Sequence, residues 1–177
     1  NDCMLYAVKN LKYSVLEYDY KYCSYRSPEK HAIAEGLCDC SMKPRGKLTA
    51  LFLKHAQINW WMSEGQKSAY QEKYPFLEGK VLSSVFSDST LDLIDDLYTD
   101  KKNDTWLILN SKSWIKGVDE AVDYAKAKDL KYELVWGLEY QELLKKMAKS
   151  KGLIFFPRAG DTCPRMVIEA KLLGCEL

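Results

Sequence analysis

The sequence lacks several features that would assign it to a class at once. No apolar run approaches the roughly 18 residues needed to cross a bilayer, no fixed repeat period is present, and only 9 of 177 residues are Gly. Charge of one sign is not in excess either, since 26 Lys and Arg oppose 25 Asp and Glu. A positive surplus is what drives non-specific binding to nucleic acid or anionic membranes. We therefore expect no nucleic-acid partner and at most peripheral membrane contact.

Short signatures for nucleotide phosphates are absent as well. The chain has neither the Walker P-loop nor the G-x-G-x-x-G pattern of dinucleotide-binding proteins. The pair Asp95-Asp96 is the nearest approach to a metal-binding Asp-x-Asp motif, but it lies in a predicted acidic helix. Because 47% of the residues are hydrophobic, the chain nevertheless has the composition of a packed protein.

The two ends of the sequence are unusual. Residue 1 is Asn rather than Met, and the chain stops at Leu177 inside an apolar run without a terminating turn. We therefore expect a fragment of a larger protein. The first residues do not show the basic-then-apolar order of a signal peptide, and we expect a cytoplasmic location.

Four metal-ligating side chains are concentrated in one polar segment, YCSYRSPEKHAIAEGLCDC (22–40). They are Cys23, His31, Cys38 and Cys40. Three thiols and an imidazole can bind structural zinc, although spacings of 8, 7 and 2 residues match no common zinc signature. A disulfide and free thiols remain the alternatives. The other three cysteines stand among apolar neighbours and are predicted to be small buried hydrophobes: Cys3, Cys163 and Cys175.

The second half of the chain carries the clearest pattern of secondary structure. Three β-type runs, TWLILN (105–110), YELVWG (132–137) and GLIFF (152–156), alternate with helical patterns. Helices are predicted after Ser113, over 138–149 and over 164–174. Such alternation is typical of a parallel α/β sheet with right-handed crossovers. The predicted class is α/β with Rossmann-like parallel sheets.

The first half gives a weaker version of the same pattern. Strands are predicted near 12–18, over 58–62 and from Lys80, and helices after Gly46 and over 64–73, where Ser63 and Gln66 form a capping box. The stretch 21–46 is predicted to be a long loop with at most one helical turn. An acidic helix after Ser89 leads into the second series, so we predict domains over 1–86 and 87–177.

Ligands of open α/β sheets bind outside the carboxyl ends of the strands. In the second half those ends are the segments 110–116, 137–139 and 157–165. Lys112 and Lys116 follow the first strand and precede a helix, an arrangement that suits a diphosphate. A solvated surface turn is the alternative for these two lysines.

The third of these segments leads directly into a helix, PRAGDTCPRMVIEA (157–170). Free N–H groups and the helix dipole make such a start a natural anion site, and the N–H groups from Thr162 to Met166 are predicted to face a phosphate or a sugar hydroxyl. The alternative is structural, with Asp161 as the N-cap and Glu169 as an ordinary helix acid.

The ending of the chain, KGLIFFPRAGDTCPRMVIEAKLLGCEL, resembles the donor-nucleotide region of group 1 glycosyltransferases of the GT-B fold. Their signature is two acids separated by seven residues and followed by small apolar residues, and Asp161 and Glu169 stand in the two acid positions. The segment TWLILNSKSWIKGVDEA resembles the strand, turn and helix that the family has about fifty residues upstream, with Lys116 and Gly117 as the matching pair.

The resemblance covers residues 80–177 and implies a role for each matching residue. Lys116 would pair with the donor diphosphate, and Lys112 can substitute for the basic residue that the family usually has where Ser111 stands. Asp161 and Glu169, the expected catalytic pair, would orient the donor sugar and hold the ribose hydroxyls. The remaining expected contacts are the N–H groups of the sugar cradle (Thr162, Cys163, Arg165, Met166) and the base-contacting loop (Gly137, Leu138, Glu139).

The reaction implied by the resemblance is retaining transfer of a sugar from a UDP- or GDP-sugar to an acceptor hydroxyl of a glycan or small molecule, in glycan or polysaccharide biosynthesis. Positive charge and a helix dipole would stabilise the departing diphosphate without an obligatory metal cofactor. Two alternatives stay open: a nucleotide-sugar-binding module and a related sugar epimerase, both without transferase activity. Of the two histidines, His55 is expected to be structural, on the apolar stripe of its helix, and His31 is not expected to be catalytic.

Overall fold

The computed structural model describes residues 2–177 and confirms the predicted α/β class. The chain forms two compact units, each with a small parallel sheet. Unit 1 comprises the described residues up to Val85 together with Ala159–Cys163, and unit 2 comprises Phe86–Arg158 and Pro164–Leu177. None of the helices within residues 2–177 is long and apolar enough to cross a membrane.

Unit 1 contains a three-stranded parallel sheet of order β1-β2-β3, in which Val15 pairs with Asn59 and Trp60 with Lys80. Its strands are β1 (Val15–Glu17), β2 (Asn59–Trp61) and β3 (Lys80–Val81), and its helices are α1 (Asp2–Asn10), α2 (Pro28–Glu35), α3 (Pro44–Lys54) and α4 (Glu64–Lys73). The core is largely aromatic. Trp61, Tyr22, Tyr70 and Tyr74 are buried and pack edge-on or tilted against one another, geometries that aromatic pairs favour.

Unit 2 contains a second three-stranded parallel sheet, of order β5-β4-β6. Its strands are β4 (Trp106–Leu109), β5 (Tyr132–Val135) and β6 (Gly152–Ile154), and its helices are α5 (Asp88–Leu97), α6 (Val118–Ala127), α7 (Tyr140–Lys149) and α8 (Arg165–Leu172). Helix α7 buries Leu144, Met147 and Ala148 against this sheet, the face that its periodicity predicts.

The strand order of unit 2 determines where a ligand can bind. The chain leaves the central strand β4, adds β5 on one side and then β6 on the other. The connections that leave β4 and β6 therefore run to opposite sides, so the topological switch point, where α/β sheets open a crevice, lies between the carboxyl ends of these two strands. The segment that begins at Asn110 lies at this point.

The prediction of a long loop over 21–46 is wrong, because α2 and the first turn of α3 fall inside it. The Ser27 side chain accepts a hydrogen bond from the Lys30 N–H at 3.3 Å, Pro28 occupies the first turn, and Gly36 at φ 85° ends the helix. These are ordinary start and stop signals. The apolar periodicity that usually reveals a helix is what α2 lacks.

Several local predictions need correction. Helix α5 is capped by Ser87 rather than Ser89, because the Ser87 hydroxyl accepts from the Thr90 N–H. Ser113 makes no capping bond: a 3₁₀ turn (Trp114–Lys116) follows it, and Gly117 in the left-handed region separates that turn from α6. His55 is exposed at the end of α3 rather than packed on an apolar face.

The three cysteines predicted to be buried hydrophobes have different surroundings. Cys175 is buried and its thiol donates to the Met147 carbonyl, as predicted for a core position. Cys3 is exposed on α1, and Cys163 is half-buried beside the Ser84 hydroxyl. The prediction is therefore confirmed for Cys175 and wrong for Cys3.

The residues that follow α8 pair with the unit 2 sheet. Helix α8 is followed by a turn at Gly174, where φ is 76°. The next residues then form a parallel bridge between Gly152 and Glu176, beside β6. The last residues thus extend the pairing of the unit 2 sheet.

Candidate functional site

The segment 22–40 brings its four metal-ligating side chains together in unit 1. Cys23 Sγ lies 3.6 Å and Cys40 Sγ 3.3 Å from His31 Nδ1, and Cys38 Sγ lies 3.7 Å from Cys23 Sγ. All four potential ligand atoms are within 4.8 Å of one another. The cysteines are free thiols, and Cys23, His31 and Cys40 are buried. The residues that sequence reasoning grouped by proximity in the chain thus form one cluster in space.

A second layer of polar contacts orients the imidazole in this Cys3His cluster. His31 Nε2 lies 2.9 Å from Glu35 Oε2, one helical turn further along α2. Glu35 Oε1 in turn accepts a hydrogen bond from the Tyr25 hydroxyl at 2.8 Å, and the Tyr25 ring stacks on the His31 ring at 4.7 Å. With Nε2 donating to the carboxylate, the Nδ1 lone pair is left facing the three sulfurs. Sequence reasoning missed Glu35, although its i+4 spacing from His31 was visible.

The cluster differs from a set of ordinary buried thiols in its electrostatics. Burial raises the pKa of Cys23 above its ordinary value. Burial acts in the same direction on Cys40, but hydrogen bonds from Ser24 and from the Cys38 thiol lower the pKa of the Cys40 thiol below its usual range. The bond to Glu35 raises the pKa of His31. The pKa of the Cys40 thiol is therefore lowered to about 7, whereas that of Cys23 is raised.

The carboxyl edge of the unit 2 sheet is built around the turn after β4. Gly117 adopts φ 56°, and a Cβ at this position would overlap the carbonyl oxygen of Phe156. The Arg158 N–H donates to the Ile115 carbonyl at 3.0 Å, so the turn is fastened to the segment that follows β6. Lys116 is half-buried, with its Nζ 5.6 Å from the ring centroid of Phe155.

The two predicted diphosphate lysines have different surroundings. Lys116 is held at the carboxyl end of β6 by the turn just described, whereas Lys112 is exposed. A solvated surface turn was the alternative for both lysines. Lys112 is exposed, as that alternative predicts, whereas Lys116 is half-buried.

An apolar cavity of about 350 Å³ opens at the carboxyl ends of β4 and β5. Its lining consists of Leu109, Val135, Trp136, Gly137, Leu138 and Leu143. Trp136 is 55% exposed, so this lining residue offers aromatic surface to a ligand. Gly137, at φ 68°, turns the chain toward Glu139, the exposed residue that precedes α7. The segment predicted to contact a nucleotide base therefore lines an apolar cavity.

Glu169 is a buried carboxylate on α8, only 4% exposed. Its Oε1 accepts a hydrogen bond from the Tyr140 hydroxyl at 3.0 Å and lies 3.4 Å from Arg165 Nη2. Burial and the neighbouring carboxylate raise the pKa of Tyr140, which keeps its hydroxyl a donor. Because Tyr140 is the first residue of α7, the Glu169 carboxylate lies close to the segment that lines the cavity. It differs from the ordinary helix acid of the structural alternative, since such acids are solvated.

The segment between β6 and α8 is divided between the two units. Asp161, Thr162 and Cys163 belong to unit 1, where the Thr162 hydroxyl donates to the Tyr18 carbonyl. Arg165 and Met166, on α8, belong to unit 2 with Glu169. The structural alternative that Asp161 caps α8 is wrong, because Pro164 is the N-cap residue and no side chain caps the helix.

Sequence reasoning missed a polar group at the carboxyl end of β1. Glu17 is fully buried and accepts from the Lys21 N–H at 3.2 Å, with Lys21 Nζ 3.1 Å from its other oxygen. Gln66 Nε2 donates to the carbonyls of Glu17 and Asp19, and its Oε1 accepts from the Met62 N–H. The sequence offered one indication of this group, since Glu17 is an acidic residue at the end of a β-type run.

A larger cavity, of about 580 Å³, lies at the opposite edge of the unit 1 sheet. It is lined by residues at the amino ends of β2 and β3, among them Asn59 and Lys80. Because α/β sheets bind ligands at the carboxyl ends of their strands, volume alone does not make it the better candidate. Comparison with protein-family models, with curated proteins and with solved structures finds no match to this chain.

Proposed function

We propose that the chain is part of a retaining glycosyltransferase of the GT-B type and that unit 2 binds the nucleotide of a UDP- or GDP-sugar. The observation that carries this proposal is the apolar cavity beside Trp136, located at the carboxyl ends of β4 and β5. Nucleotide bases bind in such cavities by stacking on an aromatic face, and the ligands of open α/β sheets bind outside the carboxyl ends of the strands.

The buried Glu169 carboxylate supports the same assignment. A carboxylate fixed by Tyr140 and Arg165 is positioned to accept hydrogen bonds from vicinal hydroxyls, such as those of a ribose. Its burial strengthens such bonds, because few waters compete for the oxygens. The side chain belongs to α8 and meets the first residue of α7, next to the cavity segment, so base and ribose contacts fall in one region of unit 2.

Lys116 is the proposed partner of the diphosphate. The turn that carries it is fixed by the close approach of Gly117 to Phe156 and by the hydrogen bond from Arg158 to Ile115. A positive charge held in a rigid turn stabilises a departing nucleoside diphosphate without reorganising during the reaction. The role of Asp161 in orienting the donor sugar stays a prediction.

The test is a calorimetric titration of the chain with UDP and with GDP. Replacing Glu169 with Gln keeps the shape of the side chain, and we expect at least a tenfold loss of affinity, about 1.4 kcal/mol, because two charge-assisted hydrogen bonds to the ribose are weakened. The control is Asp123→Asn on α6, which removes an exposed negative charge of the same unit and should leave affinity unchanged.

Two results would contradict the proposal. If the folded chain binds neither nucleotide, the assignment of a donor site is contradicted. If Glu169→Gln binds with unchanged affinity, the proposed contact between Glu169 and the ribose is contradicted. Incubation with a nucleotide sugar and a range of acceptors distinguishes the alternatives, since a transferase releases nucleoside diphosphate, an epimerase converts the sugar without releasing it, and a binding module does neither.

A further inference from the structure

The four-residue cluster in unit 1 has the dimensions of a tetrahedral metal site. Ligands at about 2.3 Å (Zn–S) and 2.0 Å (Zn–N) from one ion lie roughly 3.5–3.8 Å from each other. The observed separations of 3.3, 3.6 and 3.7 Å fall close to this range, and none of the four ligand atoms is further than 4.8 Å from another. We propose that Cys23, His31, Cys38 and Cys40 bind one structural Zn²⁺ ion.

The packing of α2 supports this assignment. An eight-residue helix is not stable in isolation and is normally held by an apolar face. Within α2, however, His31 is the buried residue, while Ile33 is 72% exposed and the following Leu37 is 73% exposed. Hydrophobic burial therefore does not account for the position of this helix. A metal bond from His31 to the cysteines on either side of α2 does.

The contacts around the cluster match those of known zinc-binding histidines. A ligating imidazole usually donates its second N–H to a carboxylate, which fixes the tautomer and makes the ring a better ligand. Glu35 provides this contact at 2.9 Å and is itself held by Tyr25. The Ser24 hydroxyl also lies 3.5 Å from the Cys40 sulfur, where it can donate to a thiolate and offset part of its negative charge.

The donor set selects zinc over other ions. Calcium and magnesium take oxygen ligands, whereas three thiolates and one imidazole form a common structural zinc set. An iron–sulfur cluster divides its ligands between separate irons, and the compact arrangement here leaves room for one ion. No disulfide joins the cysteines of the cluster, since all three are free thiols and the sulfurs of Cys23 and Cys38 are 3.7 Å apart rather than about 2.05 Å.

Zinc at this site would act on the fold of unit 1 rather than on the chemistry of unit 2. Four protein ligands close the coordination sphere and leave no position for a substrate. The ion would connect the turn after β1, helix α2 and the 3₁₀ turn that precedes α3. The backbone there is tight as well, because a Cβ on Gly46 would overlap the Cys40 carbonyl oxygen. This inference rests on unit 1 alone and holds whether or not unit 2 binds a nucleotide.

The test begins with elemental analysis of the chain, expressed and purified without added zinc or chelator. We expect one zinc per chain. The Cys40→Ser variant should lose nearly all of it, whereas Cys3→Ser, which changes an exposed cysteine outside the cluster, should keep one equivalent. Exchange of the metal for Co²⁺ should give the strong visible absorption of a tetrahedral thiolate site, which tests the ligand set without a mutation.

A milder variant distinguishes loss of the metal site from misfolding of the chain. Glu35→Gln keeps all four ligands, and we expect zinc affinity to fall about 10–100-fold, the usual cost of losing an outer carboxylate. Hydrogen exchange should then show α2 losing protection when a chelator removes the ion, while β4 and β6 of unit 2 keep theirs. The proposal is overturned if the folded chain holds no metal, if it holds iron, or if mass spectrometry shows a disulfide within the cluster.

Discussion

Replacing Gly117 with Ala offers a test of how the turn after β4 is built. Gly117 has φ 56°, a conformation that costs an L-residue about 1–2 kcal/mol. A Cβ here would also overlap the Phe156 carbonyl oxygen, a backbone atom that no rotamer change can move. Relieving such an overlap typically costs about 1–3 kcal/mol more. We therefore expect the free energy of unfolding of unit 2 to fall by about 2–5 kcal/mol.

Gly137→Ala is the matched control. Gly137 also has a positive φ, 68°, and belongs to the same unit, but a Cβ there meets nothing within 4 Å. Its cost should be the conformational strain alone, about 1–2 kcal/mol. The difference between the two variants therefore isolates the close approach of the turn to Phe156, in the segment that follows β6.

Urea unfolding, followed by hydrogen exchange of peptides from β4 and β6, measures this difference. With a slope of about 2 kcal/mol per M, the two variants should differ by roughly 0.5–1.5 M in midpoint. Peptides of unit 1 serve as an internal reference, because the two units need not unfold together. Equal destabilisation by Gly117→Ala and Gly137→Ala would refute the reasoning, since it would mean that the backbone at Phe156 can move away from a Cβ without loss of stability.

The remaining predictions concern the cavity and the turn. Trp136→Ala should weaken UDP or GDP binding by about 1–3 kcal/mol through lost stacking, with little change in stability because Trp136 is 55% exposed. The control is Phe76→Ala in unit 1, a residue 53% exposed, which should leave the affinity unchanged. Arg158 lowers the pKa of Glu120. The pair should therefore stabilise unit 2 fully at pH values above the ordinary Glu pKa of about 4.3, and this stabilisation should be lost as the pH falls through the lowered pKa. Unfolding curves of wild type and Glu120→Gln should therefore differ at neutral pH and converge in acid, and a constant difference would contradict this.

Much of the secondary structure could be read from local patterns. All six strands fall within β-type runs of the sequence, and α4 begins and ends at the predicted residues because Ser63 caps it and Pro75 follows it closely. Helix α2 was missed because its apolar side chains do not face a core. Periodicity reports burial of an apolar face, so a helix held by a polar side chain gives no such signal.

The candidate sites were partly predictable for a similar reason. Parallel α/β topology implies that the loops after the strands carry the ligand contacts, and Gly137 and Lys116 do lie at the carboxyl edge of the unit 2 sheet. The burial of Glu169 and its contact with Tyr140 were not predictable, because they join two helices that are separated by β6. The same holds for Glu17, because Gln66, which donates to the Glu17 carbonyl, is 49 residues further along the chain.

The sequence by itself determined the α/β class, the positions of the strands and the choice of Cys23, His31, Cys38 and Cys40 as a possible metal set. These follow from the period of the apolar residues and from residue type, which are local properties of the chain. Only the tertiary structure decided that the four ligand atoms meet within 4.8 Å, because the path of the chain through α2 sets those distances. It also decided the order β5-β4-β6, and with it the place of the cavity, since strand pairing depends on contacts between distant segments.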